Sequence, residues 1–325
     1  MTASANIVLL GDIGATNARF ALLTDGALGP VTWIEVARYP QFADAVRDFL
    51  QAHPRKIVIN HALFAVAGPV EDERCILTNL SWIIDGREMR DQFDFGTVRI
   101  INDFEATALS LPHLQGKDLR TLGGWHASVA APMAVLGPGS GLGVAGLLPH
   151  GQQWIVIASE GGHATLSASS RQEDEVLEHL RQRFGHVSAE RALSGPGLEN
   201  LYHAIAALDG IDAPTRNAAE ITHAALKGTC RTAQTSLNMF CAMLGGFAGN
   251  VALSYGARGG VYIAGGIAPR IVDYLAGSEF RQRFEQKGRF RSYLKAIPSH
   301  VIVHSAATFL GLRSLALFGS LRDAA

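Results

Sequence analysis

Two widely separated stretches of the chain share one pattern: "LGDIGATNARFALL" at residues 10–23 and "LGPGSGLGVAGLL" at residues 136–148. Each is approached through an apolar run, enters at Leu-Gly, turns on small or hydroxyl residues and leaves through a second apolar run. That reads as strand, tight turn, strand. A hairpin used twice points to two related α/β halves, and it restricts the fold more than any other feature of the sequence. At 325 residues the chain is long enough for two lobes.

The remaining pattern is strands alternating with helices, which argues for mainly parallel pairing beyond the hairpins. "VTWIEVARY" (31–39) reads as a third strand. "QFADAVRDFLQAH" (41–53) has helical spacing, with Phe42, Val46, Phe49 and Leu50 on one face. "KIVINHALFAVAG" (56–68) and "TVRIIND" (97–103) are buried strands, the second running into a helix, "FEATALSLP" (104–112). After the second hairpin come a strand at 153–162, helices at 171–184 and 196–208, and a long apolar helix from about 230 to 254. "GGVYIAGGIAP" (259–269) is a buried strand opening on a glycine turn, and a last helix covers 306–318.

Several function classes are disfavoured. The charge is balanced, 28 basic against 29 acidic residues, with no basic stripe for nucleic acid. Cys75, Cys230 and Cys241 form no CxxC pair and read as buried thiols of a reducing compartment. No basic n-region precedes "IVLL", and no apolar segment reads as the roughly 20 residues of a membrane span, so a cytoplasmic protein is expected. "GLGVAG" (141–146) matches a dinucleotide fingerprint but leads into a strand pattern, whereas a Rossmann turn must open a helix. "DFG" (94–96) has neither the catalytic loop nor the strand lysine of a protein kinase, and GxxxxGK[ST] is absent.

A lysine-free glycine turn can still hold phosphate through successive backbone N–H groups. Gly14, Thr16, Gly139, Ser140 and Gly141 suit that use, the two hydroxyls adding donors. Asp12 stands at the mouth of the first turn. It either bonds local backbone N–H groups or faces a hydrated Mg²⁺ that separates it from the phosphates. Asn102 and Asp103 lie where a strand should end and a helix begin. The pair is either a helix cap or an orienting amide beside a general base for an attacking hydroxyl. Glu160 and His163, in "SEGGHATL", read as a bidentate reader of neighbouring hydroxyls or as an ordinary surface loop, and Glu190 as a further polar contact or a solvated or cap-associated glutamate.

Taken in order, "GDIGATNARFAL", "INDFEATAL", "LGPGSGLGVA", "SEGGHATL", "ERALSGPGLENLY" and "GGVYIAGGIAPR" resemble the bacterial glucokinase family of the hexokinase–actin superfamily over nearly the whole chain. The resemblance implies an α/β, two-lobed hexokinase/actin-like (ribonuclease H-like) fold with a mixed sheet in each lobe and an interlobe cleft. The small lobe is expected at 1–113, joined by the C-terminal helix at about 304–325, and the large lobe at 114–303. By the same resemblance, Gly11, Asp12, Ile13, Gly14, Ala15 and Thr16 form the first phosphate motif, and Gly137, Gly139, Ser140 and Gly141 the second. Gly265 and Gly266 belong to the adenosine side. Asn102, Asp103, Glu160, His163 and Glu190 line the sugar site, with Asp103 the catalytic base and Asp12 holding Mg²⁺ through water. Implied in consequence are the substrates ATP and glucose, transfer to the glucose 6-hydroxyl, and a homodimer without nucleic-acid or membrane partners.

The chain departs from the family where Ala15 replaces a frequent glycine and Ser140 a frequent threonine. Alanine suits that place only if its φ is negative. "LTNLSW" (77–82) is also similar to a family stretch, but Leu80 stands where histidine is common, so Asn79 is assigned no sugar contact. The rival readings are a kinase for another hexose or amino sugar, a sugar-sensing regulator and an actin-like ATPase. The three cysteines cannot supply the zinc motif usual in ROK-type sugar kinases, and no segment for a DNA-binding module is visible before the first strand.

Overall fold

β1 (Ile7–Ile13) and β2 (Asn17–Thr24) form the first expected hairpin, paired antiparallel from Ile7↔Thr24 to Ile13↔Ala18. This computed structural model describes residues 6–53, 58–77, 82–128 and 130–318. The chain divides into two units, Met1–Leu114 with Ser305–Ala325, and Gln115–His304.

In the first unit the hairpin continues into β3 (Ala27–Leu28) and β4 (Thr32–Glu35), both paired with β2. The third strand is shorter than its pattern suggested, because Val36–Arg38 turn into a 3₁₀ helix. β5 (His61–Val66) and β8 (Thr97–Asn102) extend the sheet on the other side of β1, each parallel to its neighbour. Between them lie a small antiparallel pair, β6 (Arg74–Ile76) and β7 (Ile83–Asp85), and the helix α2 (Gly86–Phe93). Asp85 caps α2 by accepting the N–H groups of Arg87 and Glu88, and Asp94 ends it in the left-handed region at φ 56°. "DFG" is therefore a helix stop followed by the tight approach of Gly96 to Asn60, where a Cβ would lie 2.6 Å from the carbonyl oxygen. The helix α1 (Phe42–Gln51) buries Phe42, Ala45, Val46 and Phe49 in a core shared with Phe20, Phe64 and Trp82. Residues 56–57 of the expected fourth strand, and Asn79 and Leu80, lie outside the described residues.

The second unit repeats the scheme. β10 (Met133–Pro138) and β11 (Leu142–His150) are the second hairpin, and β12 (Gln153–Ser159) pairs antiparallel with β11. β13 (Gly260–Ile263) and β14 (Ser299–Ile302) run parallel to β10, and β9 (Leu119–Gly123) closes the far edge antiparallel to β14. The strand orders β2-β1-β5-β8 and β11-β10-β13-β14 match in both sequence and sense. The echo of the two glycine hairpins thus marks two copies of one topology, an α/β fold with a mixed sheet in each unit. "GLGVAG" enters β11, a strand, as its apolar continuation indicated.

Helices α4 (Arg171–Phe184), α5 (Gly195–Leu208), α6 (Ala218–Leu226) and α7 (Arg231–Tyr255) supply the main core of this unit. The shorter α8 (Val272–Gly277), α9 (Phe280–Glu285) and α10 (Arg291–Ala296) follow β13. One expectation needs correcting here: α7, at 25 residues, is long and apolar enough by length and composition to cross a membrane. Most of that stretch is buried inside the unit, among them Leu237, Phe240, Leu244 and Phe247, and this core position accounts for its composition. Cys75 and Cys241 are buried thiols as expected, while Cys230 is only half-buried.

The last helix, α11 (Ala307–Phe318), belongs to the first unit and lies on α3 (Asp103–Ser110). Phe309, Leu312 and Leu315 join Val8, Leu10, Leu63 and Ala106 in a core on the second face of the sheet.

Candidate active site

In the first unit the C-terminal ends of three parallel strands meet, the position where open α/β sheets bind ligands. Ile13 of β1 stands beside Val66 of β5, and Val66 beside Asn102 of β8. Asn102 caps α3: its side-chain oxygen accepts the Phe104 N–H at 2.8 Å, and the Glu105 carboxylate accepts the Asn102 N–H. The amide also donates to the Gly68 carbonyl at 3.1 Å, tying β8 to the end of β5. The cap reading of Asn102 is therefore realised, and its amide keeps a second N–H. Asp103 is the first residue of α3, half-buried, with its carbonyl accepting the Thr107 hydroxyl at 2.8 Å. Burial of the Cys75 thiol, and to a lesser extent the Asp103 charge, push that thiol's pKa up, so the sulfur stays neutral.

Asp12 is 7% exposed and forms an ion pair with Arg19, directly opposite on β2. Burial raises the Asp12 pKa, and the Arg19 charge and hydrogen bonds from Thr308 and Arg19 oppose that rise. Arg19 also donates to the Ser305 carbonyl at 2.7 Å and lies over the rings of Trp33 and Phe309. The sequence reading assigned nothing to Arg19 or Thr308. A hairpin closing on residues 14–16 sets 12 against 19, so the signal for Arg19 was in the register.

The turn residues separate into different roles. Gly11 makes room for Phe64, since a Cβ there would lie 2.6 Å from that ring, and Ile13 is fully buried in the core. Gly14 donates to the Asn17 carbonyl at 3.0 Å and Gly139 to the Gly141 carbonyl at 2.8 Å. These two N–H groups, expected from the sequence to face an anion, close their own turns instead. Thr16 and Ser140 are exposed on their turns. Ala15 is not among the described residues with positive φ, so alanine is unstrained at this place in the turn. Ala15→Gly should accordingly leave turnover within about twofold and cost about 0.4–1 kcal/mol of stability, readable by urea unfolding.

In the second unit the predicted residues gather round the turn between β10 and β11. Gly137 packs on β13, where a Cβ would lie 2.5 Å from the Ala264 carbonyl carbon. Gly265, at φ +80°, passes under Pro138, whose carbonyl accepts the Ile267 N–H at 3.2 Å. Gly266 beside it has open space at its Cα. Glu160 and His163 flank a 3₁₀ turn and are both exposed, their side chains 3.8 Å apart. Between them Gly162 rests on Leu142, where a Cβ would lie 1.9 Å from the carbonyl oxygen. Glu190 reaches the same residue from the other side, accepting the Leu142 N–H at 2.9 Å. Leu142 is thus where Gly162 and Glu190 meet, and nothing in the sequence marks it, because an apolar side chain conceals a backbone role.

The sequence pattern of one family, described as Glucokinase, matches residues 9–317. A curated glucokinase of Paramagnetospirillum magneticum is 44% identical over 314 residues, covering 96% of this chain and 98% of the relative. The chain belongs to the glucokinase family. A crystal structure of a glucokinase from an Antarctic psychrotroph superposes with a TM-score of 0.86 at 37% identity, covering 95% of this chain and 98% of that one. A ROK family glucokinase from Streptomyces griseus, solved with glucose and AMPPNP, shares the fold at TM-score 0.62 and 17% identity, covering 96% and 98% of the two chains. Family membership makes the chain a kinase, with the actin-like fold that the repeated topology displays.

Proposed function

We propose that this chain transfers the terminal phosphoryl group of ATP to the 6-hydroxyl of D-glucose, giving ADP and glucose 6-phosphate. The observation that carries the reading is Asp103 just after the end of β8, the first residue of a capped helix beside the ends of β1 and β5. Asp103 accepts the hydroxyl proton as the sugar oxygen attacks, and the free N–H of Asn102 orients that sugar. Glu160, His163 and Glu190 read the remaining hydroxyls. The N–H groups after the two turn-closing glycines, with the Thr16 and Ser140 hydroxyls, take the phosphates; Gly265 makes the turn against Pro138, and Gly266 beside it leaves room for the adenosine.

A Mg²⁺ ion fits this donor set through water. Arg19 and Thr308 occupy part of the Asp12 carboxylate, which retains lone pairs for a metal-bound water. Among the described residues no three His, Cys, Asp or Glu side chains form a cage, so one carboxylate with waters and phosphate oxygens is the arrangement available. When bound, the ion supplies charge neutralisation at the phosphates. The cytoplasmic homodimer implied by the family resemblance belongs to the same reading.

A coupled assay over a panel of hexoses and amino sugars tests it. ATP consumption is expected only with sugar present, highest with glucose, and lost on chelating magnesium. Sugar-independent ATP hydrolysis, or a kcat/KM at least about tenfold higher for another hexose, rejects it.

A further inference from the structure

The turn between β10 and β11 is fastened at three points. Pro138 accepts the Ile267 N–H, Gly139 accepts the Gly195 N–H at 2.8 Å, and Leu142 donates to Glu190. The first two are backbone bonds, set by the fold. The third is a side-chain carboxylate, which a ligand can engage. Its Oε2 also fills the space beside Gly141, where a Cβ would lie 2.5 Å away. The loops carrying Glu160–His163 and Glu190 pair with each other through Ala189 N–H to Ala164 at 2.8 Å and Leu166 N–H to Val187 at 3.0 Å. These two loops therefore press on Leu142 as a single body, from its carbonyl side at Gly162 and from its N–H side at Glu190.

We propose that Glu190 is a positioning residue for the Pro138–Leu142 turn, so that one carboxylate serves the sugar side and fixes the phosphate side. The ligand names rest on the function proposed above; the contact itself does not. Electrostatics alone disfavours a carboxylate beside a turn that takes phosphate. A charge-assisted bond, stronger than its neutral counterpart, gives the turn a single geometry in return. Glu190 has two oxygens, and with Oε2 on Leu142 the other is left to accept a sugar hydroxyl. Sugar binding and turn geometry are then linked through one side chain.

Four proteins test this: Glu190→Ala, Glu190→Gln, Gly141→Ala, and the Glu190→Ala/Gly141→Ala double variant. Amide exchange at Leu142 is expected to speed up by about tenfold or more in Glu190→Ala, the loss of one charge-assisted bond, and to stay near wild type in Glu190→Gln, which keeps an acceptor. The KM for ATP should rise by about tenfold in Glu190→Ala and recover in Glu190→Gln, whereas the KM for glucose should rise in both. Gly141→Ala should raise the ATP KM in the wild-type background and much less in the Glu190→Ala background, because the added methyl collides with the carboxylate. Unchanged Leu142 exchange in Glu190→Ala, or additive effects in the cycle, overturns the proposal. A wild type without sugar-dependent ATP consumption would defeat the function proposed above, while the exchange measurement would still decide the role of Glu190.

Discussion

Asp103→Asn should bind glucose with near-native affinity while its turnover falls by about 10²–10⁴-fold, the range of a lost general base. Asparagine is close to isosteric, and the helix start does not depend on the exchanged group. The cap is formed by Asn102 with Glu105, and the Asp103 contact with Thr107 is made by its backbone carbonyl. What disappears is the acceptor for the proton of the attacking hydroxyl. Cys75 is no substitute, because burial, the larger cause of its raised pKa, persists in the variant and keeps the thiol neutral. Calorimetry with glucose and a coupled turnover assay separate the two effects. Near-normal turnover would remove Asp103 from the base role, and lost glucose affinity would make it a binding residue.

Gly311→Ala should destabilise the first unit by about 3 kcal/mol, the upper range for overpacking a core contact. Alanine normally favours a helix over glycine by about 1 kcal/mol, so the expected sign is reversed. The cause is the approach of α11 to α3: a Cβ at Gly311 would lie 1.7 Å from the Ala106 carbonyl oxygen and 2.7 Å from its carbon. Both are backbone atoms, so relief requires moving a helix. Gly246, inside α7 with nothing within 4 Å of a Cβ, is the control, and Gly246→Ala should be neutral or stabilising. Urea unfolding of both variants checks the pair. Equal effects would show that α11 has slack against α3. Since α3 begins with Asp103, loosening this contact should also lower turnover.

The two hairpins were legible because alternating apolar residues around a glycine turn have few other structures open to them. The same pattern contained the Asp12–Arg19 pair, since hairpin register sets one opposite the other. The helix start at Asn102 was legible from cap chemistry, although residue types alone could not say whether Asn102 capped, bound or did both. The glycines were the least transparent. Gly11, Gly137, Gly162 and Gly311 all serve close approach of backbone or rings, and only coordinates distinguish that from space for a ligand. β6, β7, α2 and the helices α8 to α10 are too short to show a period. The Glu190 contact joins a side chain to a backbone N–H 48 residues away, and such a bond leaves no trace in residue types. The long apolar helix α7 was legible from its composition, but that it matches a membrane span in length and lies mostly buried among its neighbours emerges only in the structure.

β1 of the first unit is synthesised before the whole of the second unit, and the helix that covers one face of its sheet is synthesised after it. On the ribosome, β1, β5 and α3 emerge early with one apolar face uncovered, and they wait for residues 307–318. The continuous second unit has no such delay. Domains generally fold as they are released, so the order of maturation here runs against the order of translation.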